Sequence, residues 1–245
     1  MKINHLLPTA LIQSKQWLSI IQDCVYPPTC LLCGDEGVSH SDLCQPCKTA
    51  LPYFQGGCSL CSALMPNAIE ITAVCGECQI KPPDFNHTHV SFAYQEPVRH
   101  LIHGLKFNSR FVNARLLATL MAEQLRTVTD KPDLLIPVPL HPQRYRERGF
   151  NQSIELTRHL SQQLQIPNNL NSCHRTRNNI PQAALGAKQR RRNLHRTFSV
   201  QPLTEVQSIA IIDDVMTTGS TVRAIAKAFK HSGVNKIQVW VCARA

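Results

Sequence analysis

Carboxylates are scarce in this chain. Its 245 residues carry 16 Asp and Glu against 26 Lys and Arg, a formal charge of +10 at pH 7, and charged residues make up only 17%. With 43% hydrophobic residues and so little charge, the chain is not held open by self-repulsion, which excludes charge-driven disorder. The cationic excess suits an anionic partner: nucleic acid, a phosphorylated substrate or an acidic membrane surface. It equally suits a basic protein with no such partner. Long apolar runs are also missing. Residues 2–22 include Ile3, Leu6, Leu7, Leu11, Trp17, Leu18 and Ile21, but Lys2, His5, Gln13, Lys15 and Gln16 break the run. With no uninterrupted apolar stretch and no small-residue cleavage site, a secretory signal is not expected. No segment approaches the length of a membrane span, so no stable membrane insertion is expected. Residues 1–23 read as a short amphipathic helix. The expectation is a cytoplasmic protein of one or two domains.

Cysteine is abundant by contrast. Eight of the 11 cysteines form four Cys-x-x-Cys pairs, Cys30/Cys33, Cys44/Cys47, Cys58/Cys61 and Cys75/Cys78, all in the first third of the chain. Such repetition reads as metal chelation by thiolates in a reducing compartment rather than as a disulfide framework. Two knuckles complete one tetrahedral Zn²⁺ site, so eight ligands imply two ions. Successive pairs are separated by 10, 10 and 13 residues. The simplest pairing gives Cys30, Cys33, Cys44 and Cys47 one ion, and Cys58, Cys61, Cys75 and Cys78 the other; a crossed pairing satisfies the same spacing. Four thiolates leave no open coordination position, which makes the ions structural, each contributing on the order of 10 kcal/mol. Four-thiolate ligation also suits an iron–sulfur cluster. Cys24, Cys173 and Cys242 stand alone, and a lone thiol without an activating environment reads as core.

Residues 24–83 are rich in Cys, Pro and Gly and too poor in apolar periodicity to hold together without metal. Pro82-Pro83 marks a boundary, and domains are expected at 24–85 and 86–245. Beyond it, strands at 90–94, 134–136, 209–212 and 237–241 alternate with helices at 97–105, 113–127, 153–164 and 222–231, the last stopped by Gly233. That alternation predicts an α/β domain with a parallel sheet.

The segment Ile209-Ala-Ile-Ile-Asp213-Asp214-Val-Met-Thr217-Thr218-Gly219-Ser220-Thr221 runs from an apolar strand through two acids into a loop of small residues. Acids at the carboxyl end of a parallel strand face the crevice where such sheets take ligands. The loop offers hydroxyls and backbone N–H groups at a helix N-terminus, a cradle for phosphate; the bland alternative for the acids is helix capping. The segment resembles the phosphoribosyl-pyrophosphate motif of type I phosphoribosyltransferases, which implies acids on ribose hydroxyls and the loop on the 5-phosphate. Upstream, Ile136-Pro-Val-Pro-Leu-His141 ends a strand, and Arg144, Arg146 and Arg148 precede Gly149-Phe-Asn-Gln152. Alternate arginines can grip pyrophosphate through forked hydrogen bonds, or simply decorate a solvated loop.

Taken in order, the Cys-x-x-Cys pairs, Leu105-Lys106-Phe107, Pro137-Val-Pro-Leu-His141 with Arg-Gly-Phe-Asn-Gln, and Asp213-Asp214 with its loop resemble the ComF family, which includes GntX-type proteins. The resemblance runs from about Cys24 to Ala245. It implies a double zinc ribbon followed by a type I phosphoribosyltransferase-like domain, and a role in DNA uptake during natural transformation. Asp213 and Asp214 would then serve Mg²⁺-bound phosphoribosyl pyrophosphate or a nucleotide, with Thr217 to Thr221 on the 5-phosphate and Arg144, Arg146, Arg148 and Lys106 on the pyrophosphate.

From Arg175 to Arg196 the chain carries Arg175, Arg177, Lys188, Arg190, Arg191, Arg192 and Arg196 with no carboxylate between them. The run could close over pyrophosphate, track a single-stranded DNA backbone through Arg190, Arg191 and Arg192, or remain a solvated loop. It has too few aromatics for a base-stacking platform. Three readings follow: a phosphoribosyltransferase of nucleotide or related metabolism, a DNA-handling competence protein, or a scaffold whose ribbon docks an uptake helicase or another competence protein.

Overall fold

The computed structural model describes residues 29–38, 41–65, 73–176 and 197–245. These residues divide into two compact units, one ending at Leu51 and one beginning at Pro52; the helix expected over residues 1–23 lies outside the described residues.

In the first unit, a bridge between Thr29 and Glu36 brackets the Cys30/Cys33 knuckle. A one-turn helix, α1 (Gln45–Thr49), carries Cys47, and Cys44 is its N-terminal boundary residue.

The second unit is built on a four-stranded, all-parallel sheet. Its strands are β1 (His87–Ala93), β2 (Leu134–Pro137), β5 (Ser208–Met216) and β6 (Lys236–Arg244), in the order β1-β6-β5-β2. The central strands are apolar on both faces, as expected where helices cover both sides. Ile209 to Ile212 and Ile237 to Ala243 are fully buried. The parallel sheet expected from the alternation of apolar runs is therefore present. The helices are α2 (Gly76–Ile80), α3 (Val98–Asn108), α4 (Phe111–Leu125), α5 (Pro142–Arg148), α6 (Gln152–Leu164) and α7 (Ser220–His231). A short antiparallel pair, β3 (Cys173–Arg175) with β4 (Phe198–Val200), flanks α7.

Local signals explain the element ends. Asn151 caps α6 by accepting the Ser153 N–H at 2.9 Å, while its own amide donates to the Val138 carbonyl. Helix α7 buries Val222, Ile225, Ala226 and Phe229, the i, i+3, i+4, i+7 stripe of a core-facing helix. It stops where Gly233 takes φ +100°, which lets the Val234 N–H reach back to the Phe229 carbonyl at 3.1 Å.

Candidate functional site

Each predicted metal site is assembled from two consecutive knuckles, the simpler of the two pairings. The sulfurs of Cys30, Cys33, Cys44 and Cys47 all lie within 4.8 Å of one another, as do those of Cys58, Cys61, Cys75 and Cys78. Cys33 and Cys44 sulfurs are 3.6 Å apart, and Cys61 and Cys75 sulfurs 3.7 Å. Tetrahedral thiolates at zinc–sulfur distance stand about 3.8 Å apart, so each set fits one mononuclear ion. An iron–sulfur cluster interposes sulfide and spreads its ligands further. Burial would raise the Cys58 thiol, but N–H groups of Cys61, Cys75 and Leu60 outweigh it and bring the thiol down to about 6. The Cys75 N–H lies 3.3 Å from the Cys58 sulfur. Backbone amides turned onto sulfur in this way prepare a thiolate for metal. Two structural zinc ions fit these two sites. Cys173 and Cys242 are buried core thiols, and burial pushes Cys173 up to about 12, far from reactivity. Cys24 lies outside the described residues.

The acidic pair sits near the carboxyl end of β5, one residue past the point where its neighbour β2 stops at Pro137. The first turn of α6 lies against it. Ser153 Oγ donates to Asp213 Oδ1 at 2.9 Å, and Gln152 Nε2 donates to Asp214 Oδ1 at 3.1 Å. Asp214 is buried and forms a salt bridge with Lys106 from the last turn of α3. Burial, reinforced by the negative charge of Asp214, pushes Asp213 up to about 8 despite the lowering influence of Ser153 and the Asp214 N–H.

Lys106 also lines an open cavity of about 490 Å³ together with Phe107, Ser109, Arg144, Glu147 and Arg148. Arg148 Nη1 donates to Gln152 Oε1 at 2.6 Å, and its guanidinium lies 5.4 Å from the Phe107 ring centroid. A continuous network therefore runs Arg148–Gln152–Asp214–Lys106 and joins the acids to a cationic hollow. Because residues 142–148 form a helix, spacing decides which arginines meet. Arg144 and Arg148, four apart, share the cavity face, while Arg146 is exposed and is not among its lining residues.

The loop after β5 leads into α7, whose start has no side-chain cap. Thr217, Thr218 and Ser220 are exposed, Thr221 is half-buried, and Gly219 is buried. Gly219 takes φ +75°, and a Cβ there would lie 2.6 Å from Met216 Cε. Arg244, at the end of β6, anchors the loop's first residues by donating to the carbonyls of Met216 and Thr217. Sequence reasoning missed Ser153, Arg244 and the role of Gln152. Gln152 stands in the quoted Arg-Gly-Phe-Asn-Gln run. Arg244 shows only as one cation ending an apolar strand. Arg190, Arg191 and Arg192 lie outside the described residues.

The two four-thiolate sites and the acidic pair near the carboxyl end of a central parallel strand define a zinc-ribbon α/β protein. A family model of the double zinc ribbon domain matches residues 21–79. Competence protein F of Haemophilus influenzae is 35% identical over 225 residues, covering 88% of this chain and 96% of that protein. DNA utilization protein YhgH of Escherichia coli K12 is 34% identical over 224 residues, covering 89% and 97%. Competence protein ComFC of Streptococcus pneumoniae is 23% identical over 235 residues, covering 88% and 99%. The chain belongs to the competence protein F family. Among solved structures, glutamine phosphoribosylpyrophosphate amidotransferase from Bacillus subtilis aligns with a TM-score of 0.39 at 17% identity. That alignment covers 52% of this chain and 25% of that one. Purine phosphoribosyltransferase from Pyrococcus horikoshii aligns with a TM-score of 0.35 at 18% identity, covering 54% and 83%. Among the described residues, no helix is long and apolar enough to cross a membrane.

Proposed function

We propose that this protein is a cytoplasmic competence protein that binds Mg²⁺-phosphoribosyl pyrophosphate, or a nucleotide, beside Asp213 and Asp214 and handles incoming single-stranded DNA. The carrying observation is the Arg148–Gln152–Asp214–Lys106 network, which links the acids to a cationic cavity wide enough for a pyrophosphate. In this reading the acids accept ribose hydroxyls, Thr217 to Thr221 offer hydroxyls and N–H groups to the 5-phosphate, and Lys106, Arg144 and Arg148 hold the pyrophosphate. Arg146, exposed and outside the cavity lining, is given no contact with the ligand in this reading. Mg²⁺, when bound, neutralises phosphate charge and is held mainly through the ligand. Lys106 is paired with Asp214 in the free protein, so the ligand's phosphates compete with a carboxylate for the same ammonium. The names of its relatives support the DNA role, for which Arg190, Arg191 and Arg192 are the proposed backbone contacts. Residues 24–85 form the metal-binding part and 86–245 the phosphoribosyltransferase-like part of this scheme.

Calorimetric titration of the zinc-loaded protein with Mg²⁺-phosphoribosyl pyrophosphate tests it. Saturable binding that disappears in Asp213→Asn is expected; no binding by the unaltered protein refutes the reading. Salt-dependent binding of an oligonucleotide, weakened when Arg190, Arg191 and Arg192 become Ala, tests the DNA half. Release of pyrophosphate on adding a base or amine acceptor would establish turnover by the same site, whose fixed cations and oriented carboxylates suit a displacement needing no covalent nucleophile.

A further inference from the structure

Arg223 ties the second thiolate site to the loop that opens α7. Its Nη2 donates to Cys78 Sγ at 3.1 Å and its Nη1 to the Lys81 carbonyl at 3.1 Å. The Phe85 ring centroid lies 5.9 Å from the guanidinium carbon. Through its backbone N–H, the same residue donates to the Gly219 carbonyl at 2.9 Å, closing the first turn of the helix. One residue therefore holds a metal-ligand sulfur with its side chain and the loop glycine with its main chain.

Charge explains why this contact matters. The Arg223 side chain is only 15% exposed, and its Nε is buried without a hydrogen-bond partner. A guanidinium in that position needs a counter-charge. Glu77 approaches within 3.7 Å, but its side chain is 68% exposed and screened by water. Four thiolates around one Zn²⁺ carry a formal charge of about two negative units, and Cys78 presents that charge directly. Packing reinforces the link, because Cys58, Cys61 and Cys78 share one apolar cluster with Val222, Ile225, Ala226 and Phe229.

We propose that Arg223 is a positioning residue that couples metal occupancy at Cys58, Cys61, Cys75 and Cys78 to the order of the loop at Thr217 to Thr221. Without metal, nothing fixes the Cys78 sulfur to its three partners, the Arg223 contact loses its anchor and the first turn of α7 loosens. By linkage, a ligand that orders the loop slows loss of the metal. The coupling of metal to loop stands on this geometry alone; its consequence for a sugar phosphate rests on the function proposed above.

The test uses the full-length, zinc-loaded protein with Arg223→Ala and Arg223→Lys, chosen so that one variant keeps the charge. Metal release to a chelator is followed alongside cysteine alkylation, which identifies the site, and hydrogen exchange over residues 217–226. In Arg223→Ala, one of the two ions should leave about tenfold faster, with alkylation at the second cluster. Amide exchange in the first turn of α7 should rise several-fold. Arg223→Lys should recover part of both effects. Release at the unaltered rate, or a change in one readout without the other, overturns the coupling. Failure of the unaltered protein to bind Mg²⁺-phosphoribosyl pyrophosphate would refute the ligand assignment and leave these two readouts standing.

Discussion

Asp213 is a carboxyl group held where a neutral group is more at ease. Its ordinary value of 3.8 rises to about 8 on folding, through burial and the neighbouring Asp214. The folded state therefore binds a proton that the unfolded chain has already lost, and the acid's contribution to stability falls as pH rises from about 4 to about 8. Asp213→Asn should remove that slope. Its melting temperature should exceed that of the unaltered protein by several degrees at pH 8 and by little at pH 4, at about 2–4 °C per kcal/mol for a chain of this size. A parallel pH dependence in the two proteins would show that Asp213 ionises freely. Lys106 presents the opposite case. Lys106→Met strands the carboxylate of Asp214, which is 3% exposed, and should cost about 3 kcal/mol in urea unfolding. The acids were legible because an apolar strand delivers them to a loop of small residues. Lys106 entered only through the likeness of Leu105-Lys106-Phe107 to a family pattern, since one lysine in a helix reads as solvated until its partner is seen.

Among the elements, those with a continuous or periodic apolar run were readable, even four-residue β2, and those without one were not. The apolar stripe of α7 and the continuous run of β5 each have one reading, because burial on one face or on both leaves its own periodicity. Helix α5 is the seven-residue run Pro-Gln-Arg-Tyr-Arg-Glu-Arg with none buried, so no periodic signal marks it. Helical turns separate Arg146 from Arg144 and Arg148, which alternate positions in the sequence do not reveal. The pair β3–β4 escaped notice because each strand is only three residues long. At the start of α7, Gly219→Ala should cost about 1–2 kcal/mol for its left-handed conformation, and it should push the flexible end of Met216 aside. Lower thermal stability together with weaker phosphate-ligand binding is the expected result. Undiminished binding would show that the loop tolerates a side chain at its tightest point.

Across the whole molecule, metal analysis of the purified protein should return two zinc ions per chain, one for each four-thiolate set. Replacing Cys33 or Cys61 with Ser should lower that count to one. The eight ligands were legible because spacing alone defines a knuckle. The second compact unit begins at Pro52, between the two clusters. Phe85 and three ligands of the second cluster are buried in the same apolar core as Ile225 and Phe229. Anyone trimming this gene product into workable fragments should therefore expect a piece beginning at residue 86 to aggregate, its greasy flank stripped bare. A piece beginning at Pro52 should stay dispersed and retain a single ion, so sedimentation of the two would expose which cut respects the architecture.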